Sequence, residues 1–179
     1  MIFTGFKRKT NQFFFKKRLK NRNDDAIIVS KGIAKNLLVI LDDPKDKLAT
    51  VNKLSQITAI KKSEITVLTF QKTIMNEKEL HEYSFCPADF GWYGKIKSDM
   101  LRDILTKKYD LLINYSKVEN LYSNLLILQS KTAFKVGFSY QNNELYELMI
   151  DCKSGDYGTF NAELEKYLTI LNKIECKNY

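Results

Sequence analysis

The sequence predicts an α/β protein built on a single doubly wound, mostly parallel, Rossmann-like sheet with an N-terminal basic helix. Three observations carry that expectation. Near-continuous apolar runs, Asn36 to Leu41 and Asp110 to Tyr115 above all, have the pattern of strands buried on both faces. Segments with apolar residues at helical spacing alternate with those runs. Only 7 Gly and 2 Pro among 179 residues favour long regular elements over a turn-rich β-sandwich. The length suits one domain, and 44% hydrophobic with 28% charged residues is an ordinary globular composition.

Residues 1–23 read as a basic, aromatic helical arm, and residues 24–179 as the α/β domain proper. In the arm, Phe3, Phe6, Thr10, Phe13 and Phe14 fall near one helical face, while Lys7, Arg8, Arg18 and Arg22 gather on another. Phe15 and Leu19 land among the basic residues, so the helix is apolar on more than one side. It is expected to dock by its aromatic face and to display its basic one. Ala26 to Ser30 reads as a short strand, with a turn at Lys31-Gly32. The run to Leu41 ends at Asp42-Asp43-Pro44, where either aspartate caps a helix with Pro44 in its first turn. That helix runs to about Thr58, with Leu48, Val51, Leu54 and Ile57 inward. A strand follows over Glu64 to Phe70, then an irregular aromatic stretch over Gln71 to Ser98. The remainder reads as a helix (Asp99–Lys107), a strand (Asp110–Tyr115), a helix (Asn120–Lys131), a strand (Ala133–Phe138), a strand (Leu145–Asp151) and a closing helix. The last runs from Phe160 to Ile174, with Leu164, Tyr167, Leu168 and Leu171 apolar.

The formal net charge of +8 is not spread along the chain. Eight basic residues, Lys7, Arg8, Lys9, Lys16, Lys17, Arg18, Lys20 and Arg22, lie before Asp24 with no acidic residue among them, and the rest of the chain sums to zero. Three of the four arginines are in this segment, which a general lysine bias would not produce. Concentration at one end points to an anionic partner. Cys86, Cys152 and Cys176 match neither a zinc spacing nor a disulfide framework, which suits a reducing cytoplasm. No apolar run is long enough for a membrane-spanning helix.

Conventional catalytic signatures are missing from the sequence. The single histidine, His81, has no evident nucleophile near it in sequence, and there is no P-loop, dinucleotide fingerprint, nucleophile elbow or metal-ligand set. Asp89-Phe90-Gly91 spells a kinase triplet without any of its companions. No cofactor and no metal is expected, and the balance leans toward a non-enzymatic protein. Three places are candidates for a ligand. Two are strand ends, Leu41-Asp42-Asp43-Pro44 and Ile113-Asn114-Tyr115-Ser116, the latter with Asn120 and Tyr122 beyond it; ligands of doubly wound sheets sit at such ends. The third is the loop Ala88 to Ser98, which holds the only Trp. Within it Asp89, Phe90, Gly91, Trp92, Gly94 and Ser98 are candidate ligand residues, and Lys95 and Lys97 suit phosphates beside stacked bases.

The segments Asp89 to Lys97, Tyr109 to Tyr115 and Phe134 to Phe138 together resemble an uncharacterised bacterial family of Bacteroidetes type, a domain of unknown function. That resemblance covers nearly the whole chain and implies a bacterial, cytoplasmic protein. Asp110 to Asn114, a leucine-rich helix and Ala133 to Phe138 are also similar to the N-terminal Rossmann-like domain of heptosyltransferase-type glycosyltransferases, which implies the fold. Three functions are therefore expected in order. The first is RNA binding by the basic arm, possible also at the ribosome. The second is binding of a nucleotide or nucleotide sugar through Asn114, Tyr115 and the Trp92 loop. The third is peripheral attachment to an anionic membrane surface.

Overall fold

A computed structural model describes residues 2–22, 32–72 and 83–175, and the side chains of residues 2–4 and 22 lie outside that description. The elements in chain order are α1 (Ile2–Arg22), β1 (Leu37–Leu41), α2 (Lys47–Thr58), β2 (Ile65–Phe70), β3 (Ser84–Phe85), α3 (Asp99–Thr106), β4 (Lys108–Asn114), α4 (Leu121–Gln129), β5 (Lys131–Phe138), β6 (Leu148–Ile150) and α5 (Tyr157–Ile170). Six strands form one sheet in the order β3-β2-β1-β4-β5-β6, and every neighbouring pair is parallel. The chain winds outward from β1 in one direction and from β4 in the other, so the strand order reverses between them.

Alternation along the central strands divides the interior in two. Leu37, Val39, Leu41, Leu111 and Ile113 join one apolar cluster with Leu54 and Ile57 of α2 and Phe160, Leu164 and Leu168 of α5. Leu38, Ile40 and Leu112 point to the other face, among Leu101 and Ile104 of α3 and Leu125 to Ile127 of α4. All five residues of β1 are fully buried, as its unbroken apolar run requires. The placement of α2 and α4 on opposite faces follows from winding in opposite directions with one crossover handedness.

Several details depart from the sequence expectation. Leu48 is 72% exposed, and Tyr167 and Leu171 are also exposed. The inward set assigned to α2 was spaced by three throughout, and each such step drifts about 60° around the helix, which puts Leu48 half a turn from Ile57. In α5 the buried residues Phe160, Leu164 and Leu168 keep a spacing of four, which leaves Tyr167 to one side. The segment after Phe70 contains the two-residue parallel strand β3, too short to leave any periodicity. The proposed strand over 26–30, His81 and Cys176 fall outside the described residues.

Helix α1 joins the second cluster through Phe15 and Leu19, with Phe14 packed against it. Phe6 and Phe13, assigned from the sequence to the docking face, are instead 62% and 64% exposed. Phe6, Phe13 and Phe14 share an arc of about 100° and Phe15 stands about 100° beyond Phe14, so the docked side, centred on Phe14, Phe15 and Leu19, is chosen by what lies opposite rather than by periodicity. Opposite Phe14 lies Gly94, at φ +70, where a Cβ would come within 2.5 Å of the Phe14 ring. The bare backbone is the socket for the helix.

Candidate functional site

The first region of interest is the C-terminal edge at the reversal between β1 and β4, where the two strand-end candidates meet. Tyr115 donates its backbone N–H to the Ile40 carbonyl at 2.9 Å, and Lys117 donates its own to Asp42 Oδ2 at 2.7 Å. Asn114 is buried; its amide donates to the Tyr146 hydroxyl at 2.8 Å and its Oδ1 accepts from the Ser116 N–H at 3.0 Å. Tyr115 is buried against Tyr157 and Phe160, and its hydroxyl donates to Asn161 Oδ1 at 2.5 Å. Burial pushes the phenols of Tyr115 and Tyr146 far above the ordinary range, so both stay protonated. Ser116 presents its carbonyl to Tyr140 and Gln141. Two polar atoms are buried here without a hydrogen-bond partner, Asp42 Oδ1 and Ser116 Oγ. Asn120 caps α4, accepting from the N–H groups of Tyr122 and Ser123.

The third sequence candidate, the Trp92 loop, is a tight bend folded under α1. Phe90 and Ile96 pair across it as an isolated antiparallel bridge, Gly91 donates to the Lys95 carbonyl at 2.6 Å, and Lys97 donates to that of Asp89 at 2.7 Å. Phe90 is fully buried beside Phe85 and Tyr122. Asp89 accepts from the Cys86 N–H at 2.8 Å, and Ser98 caps α3. These residues therefore build the loop and its neighbours. At its tip, Trp92 and Tyr93 face outward, 42% and 60% exposed, with Tyr93 in the left-handed region at φ +54. Lys95 and Lys97 are exposed beside them. The Cys86 thiol is raised by burial, away from the thiolate a nucleophile needs.

Helix α1 is fastened over this loop. Asn11 Oδ1 accepts from the Gly94 N–H at 2.8 Å, and Lys7 Nζ donates to the carbonyls of Phe90 at 2.9 Å and Pro87 at 3.4 Å. Lys7 thus spends its charge on the loop backbone. Arg8, Lys9, Lys16, Lys17, Arg18 and Lys20 are exposed, and no ion pair among the described residues involves any of them. Arg18 stacks over Phe14 at 5.5 Å. Arg22 ends the helix, its side chain outside the described set.

At 100° per residue, Phe6, Lys9, Phe13, Lys16, Lys17 and Lys20 fall within one outward stripe. Phe6 carries the stripe onto the loop through an edge-on contact with Trp92, ring centroids 5.8 Å apart. Burial raises the Tyr122 phenol and the nearby Arg8 charge partly offsets this, which puts Arg8 near the start of α4. Phe14 and Leu125 flank the same Gly94, so α1 and α4 run in the same direction, toward the N-terminal edge of the sheet. At that edge Lys95, Arg102, Lys131 and Gln129 line a shallow cavity of about 370 Å³ over Ile96 and Leu105. Arg102 is also paired with Asp99. The outward phenylalanines and Tyr93 are not among the sequence candidates, although the spacing of Phe6, Lys9, Phe13, Lys16, Lys17 and Lys20 is visible in the sequence.

Among the described residues there is no cluster of His, Cys, Asp or Glu able to hold a metal, and no helix long and apolar enough to cross a membrane. A family model described as a family of unknown function (DUF6913) matches residues 7–171. No curated protein and no solved structure matches the chain, so the likeness to glycosyltransferase domains finds no counterpart there.

Proposed function

The chain belongs to that family of unknown function, and we propose, from its surface chemistry, that it binds RNA through the basic outer face of α1. One observation carries this reading. The helix is pinned to the body by Phe15, Leu19 and the Asn11–Gly94 hydrogen bond, which leaves Lys9, Lys16, Lys17 and Lys20 on the outward stripe and Arg8 and Arg18 exposed outside it, with no carboxylate on the same helix. A surplus of solvated charge would serve solubility wherever it lay; held on one ordered face, it matches the repeating phosphates of a nucleic acid. Lys95, Lys97 and Lys131 extend the same charge toward the N-terminal sheet edge.

Filter binding of total RNA across a salt series tests it. About six phosphate contacts give a slope of roughly −4 to −5 in log affinity against log salt. Replacing Lys9, Lys16, Lys17 and Lys20 together by Gln should flatten the slope by about 3. Removing the helix outright is the poorer test, because it would strip Phe15 and Leu19 from the core. An unchanged slope in the quadruple variant would overturn the reading. Ribosomal RNA is a natural partner to try first, by co-sedimentation with ribosomes at low salt and release at high salt.

A second reading rests on a separate observation. The partnerless Asp42 Oδ1 and Ser116 Oγ belong to residues just beyond the C-terminal ends of the paired strands β1 and β4, where doubly wound sheets receive ligands, and a ribose or sugar hydroxyl would satisfy either kind of atom. Thermal denaturation with nucleotides and sugar nucleotides tests this. A ligand held about 100-fold above its dissociation constant stabilises by about 2.7 kcal/mol, and an unmoved melting temperature across the panel would count against it.

A further inference from the structure

The basic face carries more aromatic surface than a phosphate track needs. Phe6, Phe13, Trp92 and Tyr93 are all substantially exposed, and all belong to the α1 stripe or to the loop tip that Phe6 touches. Lys9, Lys16 and Lys17 interleave with the phenylalanines along α1, and Lys95 follows Trp92 and Tyr93 in the loop. The loop holds its rings outward by design of its backbone. Phe90 and Ile96 turn in and pair, while Tyr93 occupies a left-handed conformation that costs on the order of 1 kcal/mol in a non-glycine residue. Exposed rings with cations between them offer stacking surface and charge in one strip.

Resting on the RNA reading above, we infer that the ligand class is single-stranded nucleic acid, with unpaired bases stacking on Phe13, Trp92 and Tyr93 while Lys9, Lys16, Lys17 and Lys95 hold the phosphates. A duplex keeps its bases stacked on one another and offers such rings nothing, whereas a single strand presents every base face. The complementarity is therefore of two kinds, charge to phosphate and ring to base.

Trp92 is the only tryptophan in the chain, so its intrinsic fluorescence reports on this surface without a label. The full chain is titrated with an oligouridylate, with an RNA duplex of equal phosphate number, and with phosphatidylcholine vesicles with and without phosphatidylglycerol. The expected result is quenching by the single strand, with binding about tenfold or more tighter than to the duplex. Followed by anisotropy of the labelled strand, Phe13→Ala or Trp92→Ala should weaken single-strand binding about tenfold or more, with duplex binding within about twofold of wild type. Phe13→Tyr, which keeps the ring, should retain most of it, and thermal denaturation checks that each variant stays folded. Equal binding of strand and duplex without quenching would overturn the stacking inference and leave the RNA reading intact. Binding of neither would overturn both. A blue shift on the anionic vesicles alone would replace both with a membrane surface.

Discussion

The reversal point between β1 and β4 and the outer face of α1 are both places where this fold can meet a partner, and they are built in opposite ways. At the reversal point polar groups are knitted to each other, buried Asn114 to Tyr146 and Ser116, buried Tyr115 to Asn161, and Asp42 to Lys117 at the rim. On α1, apart from Asn11 and Lys7, which fasten the helix, the charged side chains are exposed and pair with no opposite charge among the described residues. The topology singles out the first region and is silent about the second. The difference teaches that fold-level expectation and surface chemistry are separate sources of information. In this molecule most strand-end polar groups are bonded within the fold, and the exposed basic side chains gather on a helix outside the sheet.

Substitutions can sharpen that contrast, beginning with the anchors of α1. Phe15→Ala should destabilise the protein by about 3–5 kcal/mol in chemical denaturation, because it empties a core position, while Phe13→Ala should stay within about 0.5 kcal/mol. Equal effects would mean that the helix does not dock as described. Gly94→Ala comes next. Its Cβ would meet the Phe14 ring at 2.5 Å in a left-handed backbone, and strain plus overpacking predict a loss of about 2–4 kcal/mol. RNA affinity should fall with it if the face must be held in place. At the reversal point, Asn114→Ala strands the Ser116 N–H and the Tyr146 hydroxyl, and a loss of about 1–3 kcal/mol is expected with no change in RNA binding. A drop in RNA affinity there would erase the separation between the two regions.

Helix caps give the smaller effects. Asn120→Ala should cost about 1 kcal/mol through α4, read as a lowered melting temperature. The Asp156 carboxylate is held below its ordinary pKa by hydrogen bonds from the backbone and hydroxyl of Thr159 at the start of α5. A depressed carboxylate contributes stability that is present above about pH 4 and is lost as the pH falls through the lowered pKa. Asp156→Asn should flatten that acid limb in a pH series of melting temperatures.

The sheet was legible because β1 and β4 are buried on both faces, and a run such as Leu37 to Leu41 admits few other readings. Asn120 and Ser98, candidate ligand residues in the sequence, serve in the fold as the caps of α4 and α3. The docking of α1 was legible only in part. Periodicity groups Phe6, Phe13 and Phe14 on one face but cannot tell which edge of it docks, and the deciding partner, Gly94, is 80 residues from Phe14 in sequence. For the same reason Lys7 read as a free cation, although the carbonyls that hold it belong to the loop at Pro87 and Phe90. Long-range backbone partners leave no mark on local sequence.

The seating of α1 on Gly94 also has a kinetic side. The bond from Asn11 to Gly94 closes a loop of 83 residues, an entropic cost of about 4 kcal/mol beyond a constant. Phe14, Phe15, Leu19 and a few hydrogen bonds must offset that cost, whereas the central strands share theirs across the sheet. The helix is therefore the element expected to open first in the native state, and its amides to exchange faster than those of β1 and β4. A partner laid along its outer face and the Trp92 loop together would bridge helix and body, and would slow that exchange from outside.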